Sequence, residues 1–149
     1  MINKNFFKSI KILDGGMGQE LLSRGLQSKG SLWSASALLE EKYHQLVIDS
    51  HVDFINAGAN VIVTNNFSAR RVRMIENKVN DKFEYANNAA GKLAIKAREL
   101  SKKKVMIAGS LPAQNDTYVK DERNSQIIEN GFLEQALCLK HYVDFYYLD

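Results

Sequence analysis

The sequence predicts an α/β fold built on parallel strands, and three observations carry that prediction. Short aliphatic or β-branched runs alternate with longer stretches whose apolar residues recur at helical spacing. Each short run ends in glycine or polar residues. The helical stretches are apolar on one face only, as helices packed outside a sheet must be. Strand–helix alternation of this kind joins parallel strands through helical crossovers.

The run 10–13, with Ile10, Ile12 and Leu13, reads as a first strand. Across 38–57 the residues Tyr43, Leu46, Val47, Phe54 and Ile55 share one stripe, which predicts a helix closed by Gly58. The β-branched run 61–64 predicts a second, buried strand. Over 86–100, Ala86, Ala89, Ala90, Leu93, Ala94, Ala97 and Leu100 draw a second helical stripe. A third strand follows at 105–109, with the only proline, Pro112, in the loop beyond it. Ile127, Ile128, Phe132, Ala136 and Leu139 mark a third helix, and 143–148 a fourth strand.

Two architectures satisfy this pattern, a doubly wound open sheet and part of a (β/α)₈ barrel, and both bind ligands at the carboxyl ends of their strands. That rule selects the same segments either way: 14–18, 64–67, 109–115 and Asp149. The first of these is the most distinctive, a carboxylate followed by Gly15, Gly16 and Gly18. Glycines there let backbone approach a ligand closely, and a carboxylate at the end of a core strand is costly to bury without a partner. A dinucleotide fingerprint needs a third small residue where Leu21 stands. The polar stretch 23–31 also predicts no strongly apolar helix directly after Gly18, so that reading is the weaker one.

Composition narrows the class further. A chain of 149 residues with 45% hydrophobic and 25% charged residues suits a globular domain with a real core. The basic clusters Arg70, Arg71, Arg73 and 102–104 lack interleaved aromatics, which argues against nucleic-acid binding. No apolar run approaches the roughly 20 residues of a membrane span. One cysteine, Cys138, allows no internal disulfide, and together with the lysine-interrupted N-terminus it predicts a cytoplasmic protein.

Four blocks in order carry a resemblance: Leu13-Asp14-Gly15-Gly16-Met17-Gly18; Leu32-Trp33-Ser34-Ala35; His51-x-x-Phe54-x-x-Ala57-Gly58-Ala59-Asn60-Val61-Ile62 with Thr64-Asn65; and Ala108-Gly109-Ser110. Together they resemble the homocysteine S-methyltransferase family. The resemblance implies a (β/α)₈ barrel, of which this chain supplies about the first four strands and three helices. It also implies methyl transfer to the homocysteine thiolate, giving methionine. By the same resemblance Asp14 meets the substrate ammonium, and the amides of Gly15 and Gly16 are suited to its carboxylate. Thr64, Asn65 and Ser110 would line the pocket with hydroxyl and amide groups. The family's Glu at the end of the fourth strand falls on Asp149 here, a shorter carboxylate.

Two departures qualify what is implied. Relatives hold zinc through three cysteines, two of them in a Gly-Gly-Cys-Cys motif, and this sequence has neither the motif nor a second cysteine. A complete barrel takes roughly 250 residues and rarely under 200. The expectation is therefore the N-terminal half of a homocysteine-binding barrel, a truncated or split product without the C-terminal half. A second chain or a dimer would cover its open edges. A non-catalytic remnant or interaction module is the alternative. Relatives take the methyl group from S-adenosylmethionine, S-methylmethionine, betaine, or a folate or corrinoid system, and these residues select none of them. Among the remaining residues, Cys138 reads as a small buried hydrophobe, Trp33 as a loop anchor over the core, and His51 as a structural histidine bonded to a backbone carbonyl.

Overall fold

The computed structural model describes residues 4–149. Its helices are α1 (Met17–Ser23), α2 (Ser36–Leu39), α3 (His44–Ala57), α4 (Arg71–Glu76), α5 (Phe83–Ser101) and α6 (Ser125–Leu139). Its strands are β1 (Val61–Val63), β2 (Met106–Leu111) and β3 (Phe145–Leu148). They form one parallel sheet in the order β1-β2-β3, with Ile62 opposite Ile107 and Ala108 opposite Phe145. The crossover from β1 to β2 runs through α4 and α5, and that from β2 to β3 through α6.

The segment expected as a first strand takes the place beside β1 but makes only one bridge, Leu13 to Val61. Asn60 explains why. Its side-chain Oδ1 accepts the Ile12 amide at 3.1 Å, replacing a backbone carbonyl, while its own amide donates to the Ile12 carbonyl at 2.7 Å. Among the described residues no strand pairs with the other side of the segment, and Ile10 and Ile12 are exposed. A strand without a second partner and with its apolar side chains in water gains little from extending the ladder.

The helix expected over 38–57 is broken in two. Glu40 is extended, and its carboxylate receives the ammonium groups of Lys29 at 2.6 Å and Lys42 at 2.8 Å. A 3₁₀ turn at Glu41–Tyr43 then restarts the chain into α3. The far end of α3 is as expected: Gly58 takes a positive φ of 117°, and the Ala59 amide reaches back to the Phe54 carbonyl, closing a Schellman turn. One short helix, α1, starts at Met17, where the polar sequence beyond Gly18 predicted none. It is nucleated by burial of Leu21 rather than by a long apolar stripe.

Core packing divides between two clusters. Leu21, Leu32, Leu38, Val47, Ile48, Met74, Phe83 and Ala90 pack the helices against one another. Ile55, Ile62, Ala94, Val105 and Ile107 seat α3 and α5 on the sheet. The alanine stripe of α5 allows close helix approach, and Leu100, at its solvent end, is exposed. Cys138 is half-buried against the first cluster, and burial pushes its thiol pKa up. Among the described residues no helix is long and apolar enough to cross a membrane. All three strands present their carboxyl ends to the same side, and there the chain turns polar.

Candidate functional site

A cavity of about 430 Å³ opens at the carboxyl ends of the strands. Its polar lining includes Asp14, Thr64, Asn65 and Asp149, with the backbone of Gly15 and Gly16, and its aromatic walls are Trp33, Phe67, Tyr118 and Tyr147. Six of the seven residues singled out in the sequence therefore share one space. A larger hollow, about 610 Å³, lies along α5 beside His44 and Tyr142, away from the strand ends.

Ser110 is the seventh, and it does not line the cavity. It is fully buried on β2, and its hydroxyl donates to Asp149 Oδ2 at 3.1 Å. There it holds one oxygen of the Asp149 carboxylate. Thr64 reaches the cavity wall, yet its hydroxyl is already committed: it donates to Asn66 Oδ1 at 2.6 Å and accepts the Ser110 amide at 3.0 Å. Asn65 donates to the Ser34 carbonyl at 3.1 Å, tying the Trp33 loop to the strand end.

Two of the glycines serve close approach, and none of the three has a positive φ. A Cβ on Gly18 would stand 2.8 Å from the Trp33 ring, and one on Gly15 would stand 2.6 Å from Phe54. Gly16 has open space where its Cβ would be. Trp33 itself holds φ 45° and ψ −120°, a conformation costly for a bulky residue, and the residue is 41% exposed. The residue expected as a loop anchor over the core also forms a wall of the cavity.

Asp14 is the electrostatic centre. Its side chain is only 6% exposed, and Oδ2 accepts the Val63 amide at 2.9 Å. Burial raises its pKa to about 7; the Val63 bond opposes that shift and the charge of Asp149 adds to it. His51 lies behind it on α3, fully buried, with Nδ1 3.8 Å from Asp14 Oδ2. That distance is too long for a hydrogen bond. Both ring nitrogens are unpartnered, which corrects the expectation of a bond to a backbone carbonyl, and burial lowers the His51 pKa to about 4.

Sequence reasoning missed the polar cluster beneath the cavity. Asn66 Nδ2 donates to Asn87 Oδ1 and to the Ser110 carbonyl, and Gln135 Nε2 donates to the Asn66 carbonyl and to Asn87 Oδ1. Asn87 Nδ2 donates in turn to the carbonyls of Ala69 and Phe83. The signal was present in Asn87, a polar residue on the buried Phe83–Ala90–Ala94 stripe of α5. Arg70, one of the basic cluster 70–73, is buried, with its guanidinium 5.2 Å from the Phe67 ring centre. It donates to the Phe67 carbonyl and the Thr117 hydroxyl, both at 3.4 Å.

Metal ligands are a separate question. Among the described residues no group of three His, Cys, Asp or Glu side chains converges as a metal site. Cys138 faces Arg71, Glu84 and Glu134 on a different surface from the cavity.

The family model described as homocysteine S-methyltransferase matches residues 11–149. Homocysteine S-methyltransferase 2 of Zea mays is 33% identical over 110 residues, covering 72% of this chain and 31% of the relative. The homocysteine S-methyltransferase of Escherichia coli K12 is 39% identical over 62 residues, covering 42% of this chain and 19% of the relative. The metallated form of the homocysteine methyltransferase MmuM from Escherichia coli superposes with a TM-score of 0.77 at 26% identity, covering 97% of this chain and 55% of that one. Its oxidized form superposes at 0.80, covering 96% and 53%. The chain spans less than a third of the length of these curated relatives and about half of the solved structures. It belongs to the homocysteine S-methyltransferase family.

Proposed function

We propose that this chain forms the amino-acid-binding half of a homocysteine S-methyltransferase, over 1–149, as the first half of a (β/α)₈ barrel. The observation that carries the proposal is the single cavity in which Asp14 and Asp149 stand with the Gly15–Gly16 backbone at the strand ends. Two carboxylates of that kind suit the ammonium of an α-amino acid, and backbone amides in a glycine turn suit its carboxylate. Thr64 and Asn65 hold this rim in place, and Ser110 orients Asp149. A volume of about 430 Å³ accommodates an amino acid the size of homocysteine with room beside it for a donor group.

The described residues do not fit the zinc of the family, because Cys138, the one cysteine of this sequence, stands away from the cavity and no group of three His, Cys, Asp or Glu side chains converges among them. No step through the metal is assigned to them. Their part is to bind and orient the amino acid before its sulfur reacts. Ile10, Ile12 and Leu148, at the two open edges of the sheet, expose apolar side chains. That exposure favours completion of the barrel by further residues, of the same polypeptide or of a second chain.

Calorimetric titration with L-homocysteine tests the proposal. Saturable binding is expected, weakened by about tenfold to a hundredfold in Asp14→Asn, the range for losing a hydrogen bond to a charge. Equal binding by Asp14→Asn and the unaltered chain would remove Asp14 from the site, and no binding by either would remove the function from these residues.

A further inference from the structure

His51 has no evident structural reason to be a histidine. Its ring is completely buried, in a place where an apolar ring would leave no polar atom unsatisfied, and both nitrogens lack partners. Leaving such groups unpaired costs stability, so an orphaned pair inside a core calls for an explanation. A carboxylate stands near: the Oδ2 of Asp14, 3.8 Å from Nδ1, on a residue that lines the cavity. We propose that His51 is the positioning residue of Asp14, its Nδ1–H closing the 3.8 Å gap to hydrogen-bond the carboxylate whenever Asp14 is ionised against an aminium ligand.

Elementary chemistry fixes the direction of that bond. A neutral imidazole carries one N–H, on either nitrogen, and the other nitrogen can only accept. A protonated Asp14 needs no donor from His51, whereas an ionised one does. A cation at the cavity side of Asp14 favours its ionised form. The carboxylate then accepts from Val63 on one flank and from His51 on the other, which leaves its remaining lone pairs aimed into the cavity. No proton passes between the two residues; the one released by Asp14 leaves to solvent as the cation binds. Among the described residues, Asp149 is the other titratable side chain whose charge acts on Asp14, and burial moves His51. His51 touches no ligand and acts through Asp14.

Ring-¹⁵N NMR on the full chain, labelled at its three histidines, tests this directly. His51→Phe preserves the buried ring without its N–H, and His51→Asn places an amide N–H near the position of Nδ1. In the ligand-free chain, the Asp14 carboxyl midpoint followed by ¹³C NMR should rise by about one unit in His51→Phe and return in His51→Asn, as expected on losing and restoring a donor to a charge. Nδ1 of the unaltered chain should be pyrrole-like above that midpoint. With L-homocysteine as probe, binding should weaken about tenfold in His51→Phe and recover in His51→Asn. The homocysteine arm rests on the function proposed above, whereas the carboxyl titration does not. Absence of homocysteine binding by every form would therefore count against that function alone. An unchanged Asp14 midpoint in His51→Phe would overturn the positioning role. Should His51→Phe fail to fold, a pyridine-like Nδ1 in the unaltered chain above the Asp14 midpoint would overturn it equally.

Discussion

Two buried polar clusters lie side by side at the carboxyl ends of the strands, and they are wired in opposite ways. Beneath the cavity, Thr64, Asn66, Asn87, Ser110 and Gln135 are almost fully buried and joined to one another or to backbone carbonyls. At the cavity, Asp14 accepts only the Val63 amide from a neighbouring residue, and His51 has no partner at all. A cluster with its bonds complete has nothing left to offer a ligand and contributes order. One with bonds outstanding is destabilising as it stands and is retained where a ligand supplies what is missing. On the proposed function, the contrast separates residues that hold the rim in place from the carboxylate that would meet the amino acid.

Breaking the complete cluster should produce the largest effect. Asn66→Ala removes the acceptor of the Thr64 hydroxyl and the donor to both Asn87 and the Ser110 carbonyl. Asn87 Oδ1 keeps its Gln135 donor, so two groups lose their partner at about 1–3 kcal/mol each, and with the cavity left by the deleted amide the loss is about 4–5 kcal/mol. Urea unfolding followed by circular dichroism measures it. A loss under about 1 kcal/mol would mean that the network is ornamental to stability.

The incomplete cluster should respond with the opposite sign. Asp14 has a folded pKa near 7 against 3.8 in the open chain, so folding favours its protonated form. Its contribution is fully present below pH 3.8 and is lost as pH rises through 7. Asp14→Asn keeps the Val63 hydrogen bond without the charge. It should be more stable than the parent above pH 7, by on the order of 4 kcal/mol, with the gain vanishing below about pH 4. Stability measured across pH 4 to 8 checks this, and a pH-independent difference would refute it.

His51 mirrors that behaviour. Its folded pKa lies near 4 against 6.5, so its contribution is fully present above pH 6.5 and lost as pH falls through 4. The unaltered chain should therefore lose on the order of 3 kcal/mol relative to His51→Phe between pH 6.5 and pH 4. Because the Asp14 contribution moves the other way over the same window, the two nearly cancel in the unaltered chain. Each single variant should expose the slope of the partner that remains.

How legible these clusters were in the sequence follows from their wiring. Asp14, Gly15, Gly16, Thr64 and Asn65 were legible because strand ends in parallel α/β folds converge, and position along the chain alone puts them together. The commitments of the Thr64 and Ser110 hydroxyls were not, since they depend on partners 46 and 39 positions away. Arg70 looked like one of three clustered surface arginines, and only the fold places Phe67 and Thr117 around it. The weak first strand was hidden for a similar reason: Ile10, Ile12 and Leu13 have strand composition, but the bond that interrupts the ladder belongs to the side chain of Asn60.

The smallest expected effect lies at the cavity wall, where one glycine can be tested without touching either polar cluster. Gly18 faces the Trp33 ring, which would meet an added Cβ at 2.8 Å. Trp33 is already held at a positive φ, so the loop has little freedom to yield and the ring must tilt towards the cavity. Gly18→Ala should cost about 1–2 kcal/mol by overpacking, less than any change above. Trp33 is the only tryptophan, so its fluorescence reports the displacement directly. A shifted emission maximum with an unchanged Asp14 titration would place the aromatic wall and the charged floor under separate control. A titration that moved with the emission would mean that the Trp33 loop helps to bury Asp14, joining the wall to the incomplete cluster.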